Sequence, residues 1–384
     1  MNNGKWAAIV HGGFNSTYGC SSVPCTGGGD YLDTASSVTG QGRVYVIFIE
    51  NGIGATSWSG SDFVILNTRV GSATTPNATA TPVLLDSNGD GTVDYIYFGD
   101  QVGNLWKWDV TNGSPSNWKP AFGTVASPTP LYAARDASNV AQPITSAPEL
   151  FPHPNGGYLV YFGTGQYVQQ TDVASPYQLQ TMYGIWDKPA AGAVASITTR
   201  PASSPLVAQS VLATATTAAG TARVVSQNAV DYTNPLIRGW YMDMPNSATT
   251  GERIVDDPFV QTGKLVFQPL TPSSAQCDAG GTSFLMEVDP LTGGRLTFSA
   301  FDINGDKGFS SGDYVMYGGV AVPVSGVQTS VGITPKATVI SGGPNKEYKV
   351  LSGSTGGLQV ILENPNPGAT TSIQRRAWRE IFRN

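Results

Sequence analysis

The chain has 384 residues, of which 46 are Gly and 26 Pro; 12% are charged and 40% hydrophobic. Abundant Gly, Thr, Ser and aromatics with little charge suit a soluble, turn-rich β protein with a large core. The net charge of −6 argues against a nucleic-acid binder, and no apolar run is long enough to cross a bilayer.

The chain opens on Met1-Asn-Asn-Gly-Lys5 with no signal peptide, which fits a cytosolic protein or a fragment of a longer secreted one. Trp6–Val10 follows with strand character. Cys20 and Cys25 flank a short turn and could close a local disulfide, and either could instead pair with Cys277. With only two histidines, His11 and His153, a thiolate–imidazole zinc site is disfavoured.

Asp86-Ser-Asn-Gly-Asp-Gly-Thr-Val-Asp94 carries the strongest chemical signal. Asp86, Asn88, Asp90 and Asp94 stand at loop positions 1, 3, 5 and 9, with Gly91 at position 6. A hard divalent cation takes roughly six to eight oxygens. The four side chains and the Thr92 carbonyl supply five, and Gly91 allows the sharp turn. Three carboxylates within nine residues repel one another without a cation. The loop is not an EF-hand, because position 12 is Tyr97 and the flanks Thr81–Leu85 and Val93–Phe98 read as strands. The competing reading is a solvated hairpin turn.

A weak repeat runs along the chain: apolar strand, Gly-containing turn, second apolar strand, then Asp or Asn and another turn. Its marker falls at Asn67, Asp109, Asp187 and Asp289. The first spacing fits one four-stranded propeller blade of roughly 40–45 residues. The later spacings fit two blades each, or single blades with insertions. The expected fold is all-β, a modified β-propeller with irregular blades occupying 1–384 as one domain, the calcium loop lying between two strands of a blade. Trp106 and Trp108, at alternating strand positions, are expected to pack between blades rather than anchor a partner. Residues 129–143 read as a connector, 193–223 as an exposed Ala/Thr/Ser-rich insertion, and His153 as an exposed loop residue.

A second acidic cluster spans Asp302 to Asp313. Asp302, Asn304, Asp306, Ser310 and Asp313 fall at positions 1, 3, 5, 9 and 12, with the Gly308 carbonyl at position 7. It departs from the calcium pattern at position 6, where Lys307 replaces glycine and adds a positive charge. Arg375, Arg376, Arg379 and Arg383 read as a solvated basic tail.

The run from Asp86 to Asp109, with Tyr97-Phe-Gly-Asp100 and Gly103-Asn-Leu-Trp-Lys-Trp-Asp109, resembles the C-terminal domain of the PilY/PilC family of type IV pilus tip-associated adhesins. The resemblance extends through Ile144–Glu149, His153–Gly157, Tyr161–Tyr167, Tyr183–Asp187, Gly239–Asp243, Gly251–Val255, Gly280–Asp289 and Trp378–Ile381. It implies a modified β-propeller whose leading blade could be incomplete here, with calcium on Asp86, Asn88, Asp90, Thr92 and Asp94. It also implies a pilus-associated, cell-surface domain of a longer exported precursor. Its partners would be pilus components and a host or abiotic surface. Calcium would support pilus extension against retraction, adhesion and twitching motility, without catalysis. No Arg-Gly-Asp sequence is present. Two rival readings remain: a quinoprotein dehydrogenase-like propeller enzyme, in which Asp94 or Asp100 would be candidate bases, and a structural propeller using calcium only as a folding staple.

Overall fold

The computed structural model describes residues 1–13, 40–52, 60–72, 74–197, 205–273, 280–343 and 345–366. The three cysteines and the C-terminal arginine cluster lie outside the described residues. The described elements are almost all strands, arranged as four blades and a terminal sheet in chain order.

The first blade pairs Ala7–His11, Arg43–Phe48 and Phe63–Asn67. The second pairs Val83–Leu85, Tyr95–Gly99, Asn104–Asp109 and Tyr132–Ala133. The third runs Glu149–Pro152, Tyr158–Gly163, Thr181–Asp187 and Gly239–Asp243. The fourth runs Phe259–Gln261, Lys264–Phe267, Gly281–Val288 and Gly326–Gln328. All of these pairings are antiparallel. The terminal sheet is Thr338–Ser341, Glu347–Ser352 and Leu358–Glu363.

Side chains alternate between the two faces of a strand, so a strand sandwiched between neighbours feeds two cores. Ile96 and Phe98 pack with Val44, Val46, Leu66, Trp106 and Trp108 between the first and second blades. Tyr97, between them in sequence, enters the core shared with Val160, Phe162 and Tyr183 of the third blade. Leu159 and Tyr161 turn the other way, toward Leu265 and Phe267 of the fourth. Val266 then packs with Leu351 of the terminal sheet. Burial on both faces explains why these strands read as continuous apolar runs. Trp106 and Trp108 pack between blades, as expected, and are almost fully buried.

The repeat markers are structurally equivalent. Asn67, Asp109 and Asp187 end the third strand of their blades, and Asp289 follows the third strand of the fourth. The longer spacings are therefore single blades with insertions. A short polar side chain here can satisfy the turn that leaves the blade. The Asn67 oxygen accepts from Arg69 N at 2.8 Å, Asp109 from Thr111 N at 3.0 Å, and Asp289 from Thr292 N at 2.8 Å. Asp187 does something else. It is buried, accepts from Tyr97 OH at 2.6 Å and pairs with Lys107 Nζ at 2.7 Å, tying the second blade to the third.

Three local expectations need correction. The segment 193–223 is not simply an exposed insertion: Val194, Ile197, Leu206 and Ala222 are buried. Its strand Val207–Thr217 runs parallel to Gly239–Asp243 and forms a hairpin with Gly220–Val225, which pairs with Gly326–Gln328. That hairpin fuses the third and fourth blades into one sheet, which low hydrophobicity alone could not reveal. Within 129–143, Leu131, Tyr132 and Ala134 are fully buried because the segment supplies an outer strand of the second blade. His153 is buried too. Its ring stacks on Trp186 at 4.2 Å and meets Tyr232 edge-on at 4.3 Å, and burial lowers its pKa.

Candidate metal loops

The first acidic loop joins Val83–Leu85 to Tyr95–Gly99, adjacent antiparallel strands of the second blade. The first strand starts two residues later than expected and ends as expected at Leu85; the second starts two residues later and runs one residue further, because the turn takes up Asp86–Asp94. Asp86 organises the turn: its Oδ1 accepts from Gly89 N at 2.7 Å and its Oδ2 from Gly91 N at 2.7 Å. Asn88 Oδ1 accepts from Asp90 N at 2.9 Å, and Asn88 Nδ2 donates to Asp90 Oδ2 at 3.1 Å. Asp90 Oδ1 accepts from Thr92 N at 2.8 Å and Thr92 Oγ1 at 2.6 Å. The Thr92 hydroxyl and backbone N–H hold the exposed Asp90 carboxyl below the ordinary range, so it is ionised at neutral pH. Gly89 and Gly91 sit at φ of 79° and 85°, a conformation that favours glycine.

Asp94 closes the loop from a buried position. Its Oδ2 accepts from Ser87 N at 2.9 Å and Ser87 Oγ at 2.6 Å. Asn2, which sequence reasoning did not single out, crosses from the start of the chain. Its amide donates to Val93 O at 2.7 Å and Val110 O at 3.2 Å, and lies 3.4 Å from Asp94 Oδ1. Its own oxygen accepts from Thr92 Oγ1 at 3.0 Å.

The second loop repeats the backbone bonds of this scheme. Asp302 Oδ1 accepts from Gly305 N at 2.7 Å and Oδ2 from Lys307 N at 2.9 Å. Asn304 Oδ1 accepts from Asp306 N at 2.9 Å, and its amide donates to Asp306 Oδ2 at 3.0 Å. Asp306 Oδ1 accepts from Gly308 N at 2.7 Å. Lys307, the departure from the pattern, takes the glycine conformation with φ 63°, matching Gly91. The closing carboxylate is Asp313, fully buried, which accepts from Ile303 N and Ser310 N at 3.0 and 2.9 Å. Ser310 caps the one-turn helix Ser311–Asp313, its Oγ accepting from Gly312 N at 3.0 Å. In both loops the closing carboxylate binds the N–H of position 2: Ser87 in one, Ile303 in the other.

The loops differ in convergence. Asp302, Asp306 and Asp313 each offer an oxygen within 4.8 Å of the others. Asp86, Asp90 and Asp94 form no such triad; Asp94 is bonded to Ser87 and lies beside the Asn2 amide.

Asp100, the other candidate base, is fully buried and heavily bonded. It accepts from Trp106 Nε1 at 2.8 Å, from Asn77 and Asn104 side chains at 3.0 Å each, and from Asn104 N at 2.8 Å. Such a carboxylate pins the turn and the indole rather than receiving a substrate proton.

A propeller of four described blades with an acidic loop on the second blade and another before the terminal sheet defines a specific class of domain. The sequence profile of the PilY1 beta-propeller domain matches residues 1–223, and the chain belongs to that family. It is 32% identical over 405 aligned positions to the type IV pilus biogenesis factor PilY1 of Pseudomonas aeruginosa, and 30% identical over 372 to a PilY1 homolog of Xylella fastidiosa. These alignments cover 99% and 95% of this chain but only 31% and 22% of the relatives, so the chain spans about a third of their length or less. The crystal structure of the P. aeruginosa PilY1 C-terminal domain aligns with a TM-score of 0.72 at 29% identity, covering 96% of this chain and 70% of that one.

Proposed function

We propose that this domain is a calcium-binding propeller module of a pilus-associated surface protein. Calcium is held at Asp86, Asn88, Asp90, Thr92 and Asp94, and at Asp302, Asn304, Asp306, Gly308, Ser310 and Asp313. The observation that carries this reading is the duplication of one hydrogen-bond scheme in two loops of different sequence context. Both keep Asp, Asn and Asp at positions 1, 3 and 5, left-handed backbone at positions 4 and 6, and a buried carboxylate at the close. A plain turn needs none of the acidic side chains beyond the first. Oxygens of mixed carboxylate, amide and carbonyl type suit a hard cation better than a soft transition metal.

Bound calcium cross-links residues within each loop and stabilises the blade, since a ligand taken only by the native state adds RT ln(1 + [L]/Kd). Membership in the pilus biogenesis family supports a role on the type IV pilus. In that role calcium supports extension against retraction, surface adhesion and twitching motility, and the domain acts by binding rather than catalysis. Isothermal titration tests the site assignment. The wild-type chain should take two calcium equivalents, and Asp90→Ala and Asp306→Ala one each. Unchanged stoichiometry and affinity in both variants would refute it. A twitching assay with Asp90→Ala in the full-length protein tests the link to motility, and wild-type spreading would break that link.

A further inference from the structure

Five ionisable side chains are buried together between the fourth blade and the terminal sheet. Lys264 and Glu287 come from the strands Lys264–Phe267 and Gly281–Val288 of the blade. Glu347 and Lys349 come from Glu347–Ser352, and Glu363 from Leu358–Glu363. All five are essentially inaccessible to solvent. Lys264 Nζ lies 2.9 Å from Glu287, 2.7 Å from Glu347 and 3.4 Å from Glu363, and donates to Asn364 O at 2.9 Å. Lys349 Nζ lies 2.6 Å from Glu287 and 3.2 Å from Glu347, and is in close contact with Glu363. The terminal sheet thus turns its charged face inward, while Leu358 and Val360, on its other face, are exposed.

The charges do not balance. Three carboxylates face two ammonium groups, and no further charged side chain bonds to them in the described structure. An uncompensated charge in a dry interior is strongly disfavoured, and a group so placed neutralises instead. Glu363 Oε1 and Glu287 Oε2 are both buried without a hydrogen bond, so this pair has fewer donors than two ionised carboxylates require.

We propose that the cluster holds one proton on Glu363, shared with Glu287, and that this proton latches the terminal sheet onto the fourth blade. With it, two ammonium groups meet two carboxylates and the interface is neutral. Without it, a net negative charge is trapped among the five groups. The environment splits the two acids accordingly. Burial pushes Glu287 up, but Lys264 and Lys349 outweigh it and bring the carboxyl down to about 2. Burial, reinforced by the neighbouring Glu287 carboxylate, pushes Glu363 well above the usual range. A carboxyl raised on folding stabilises the fold below its unfolded value, and that contribution is lost as pH rises through the folded value. The latch therefore weakens on the alkaline side.

Glu363→Gln tests this directly, because glutamine is a permanently neutral analogue of the protonated acid. Melting temperatures of the 384-residue chain and of Glu363→Gln are measured from pH 5 to 10. The difference between the curves removes every titration the two share. Wild type should lose stability relative to the variant as pH rises. A difference that is flat with pH, or that moves the other way, would overturn the proposal. If Glu363→Gln does not fold, infrared spectroscopy of the wild type decides alone. A protonated-carboxyl C=O band at neutral pH, lost on alkaline titration, supports the latch, and its absence at neutral pH sinks it. Replacing sodium by choline at constant ionic strength should leave the melting temperature unchanged. Sodium-specific stabilisation would assign the missing positive charge to a metal cation instead.

Discussion

The loops at Asp86–Asp94 and Asp302–Asp313 share a hydrogen-bond scheme but solve its two hardest problems differently. The first uses glycine for the second left-handed residue, whereas the other forces Lys307 into that conformation. The first closes after nine residues with Asp94, which bonds to Ser87 and lies beside Asn2. The second closes after twelve with Asp313, which a one-turn helix brings within reach of Asp302 and Asp306. The loop with the better sequence motif is therefore the less converged, and the irregular one the more converged. Motif regularity reports local backbone cost, while convergence depends on where the closing strand or helix delivers the last carboxylate.

Removing the closing carboxylates should have the largest effect. Asp313→Ala leaves the N–H groups of Ile303 and Ser310 without their acceptor, and Asp94→Ala does the same to Ser87. Asp313→Ala, which orphans the buried Ile303 N–H, should cost roughly 2–3 kcal/mol in calcium-free protein, and Asp94→Ala about 1 kcal/mol because Ser87 is exposed and its N–H rehydrates, both readable by denaturant unfolding. If Asp94→Ala is near neutral, the buried half of the first loop has been misassigned.

The backbone difference is the next handle. Lys307→Gly removes a non-glycine residue from the left-handed region and a positive charge from beside Asp302 and Asp306. It should stabilise the chain by about 1 kcal/mol and tighten calcium at the second loop. Gly91→Ala should cost a similar amount, about 1 kcal/mol, through backbone conformation alone, since a Cβ there meets no atom within 4 Å. Equal and opposite effects would confirm that the two positions are equivalent.

A smaller effect concerns pH. Thr92 holds the Asp90 carboxyl low, so its favourable ionised form is present above the unfolded value and is lost only as pH falls through the lower folded value. Thr92→Val should raise the pH at which the first loop releases calcium and leave the second unaffected, as followed by titration calorimetry in mild acid. The smallest change expected is Asp90→Ala in calcium-free protein, whose melting temperature should stay close to wild type because the side chain is exposed. That variant separates metal binding from folding.

Much of this fold was legible because blade strands are buried on both faces. Tyr95–Phe98 and Leu105–Trp108 announce themselves as apolar runs, and a short polar residue is needed where each third strand ends. The first loop was legible because its ligands are contiguous in sequence. Contributions from distant residues were not legible. Asn2 reaches Asp94 from the chain's start, and Lys264 reaches Glu347 and Glu363 from another sheet. Glu347 and Lys349, two apart on one strand, share a face, and that face reads as a solvated surface until the fourth blade covers it. His153 misled for a related reason: Pro and Gly neighbours mark a turn, but Trp186 and Tyr232 enclose its ring. The 207–225 hairpin was hidden because Ala and Thr satisfy a sheet as readily as a loop.

Anomalous diffraction from crystals grown with calcium would locate the ions themselves. Two peaks are expected. One should lie about 2.3–2.6 Å from oxygens of Asp86, Asn88, Asp90 and Thr92, with Asp94 swung toward it, and the other at the same distance from Asp302, Asn304, Asp306 and Asp313. Crystals saturated with calcium that show no peak at either loop would contradict it.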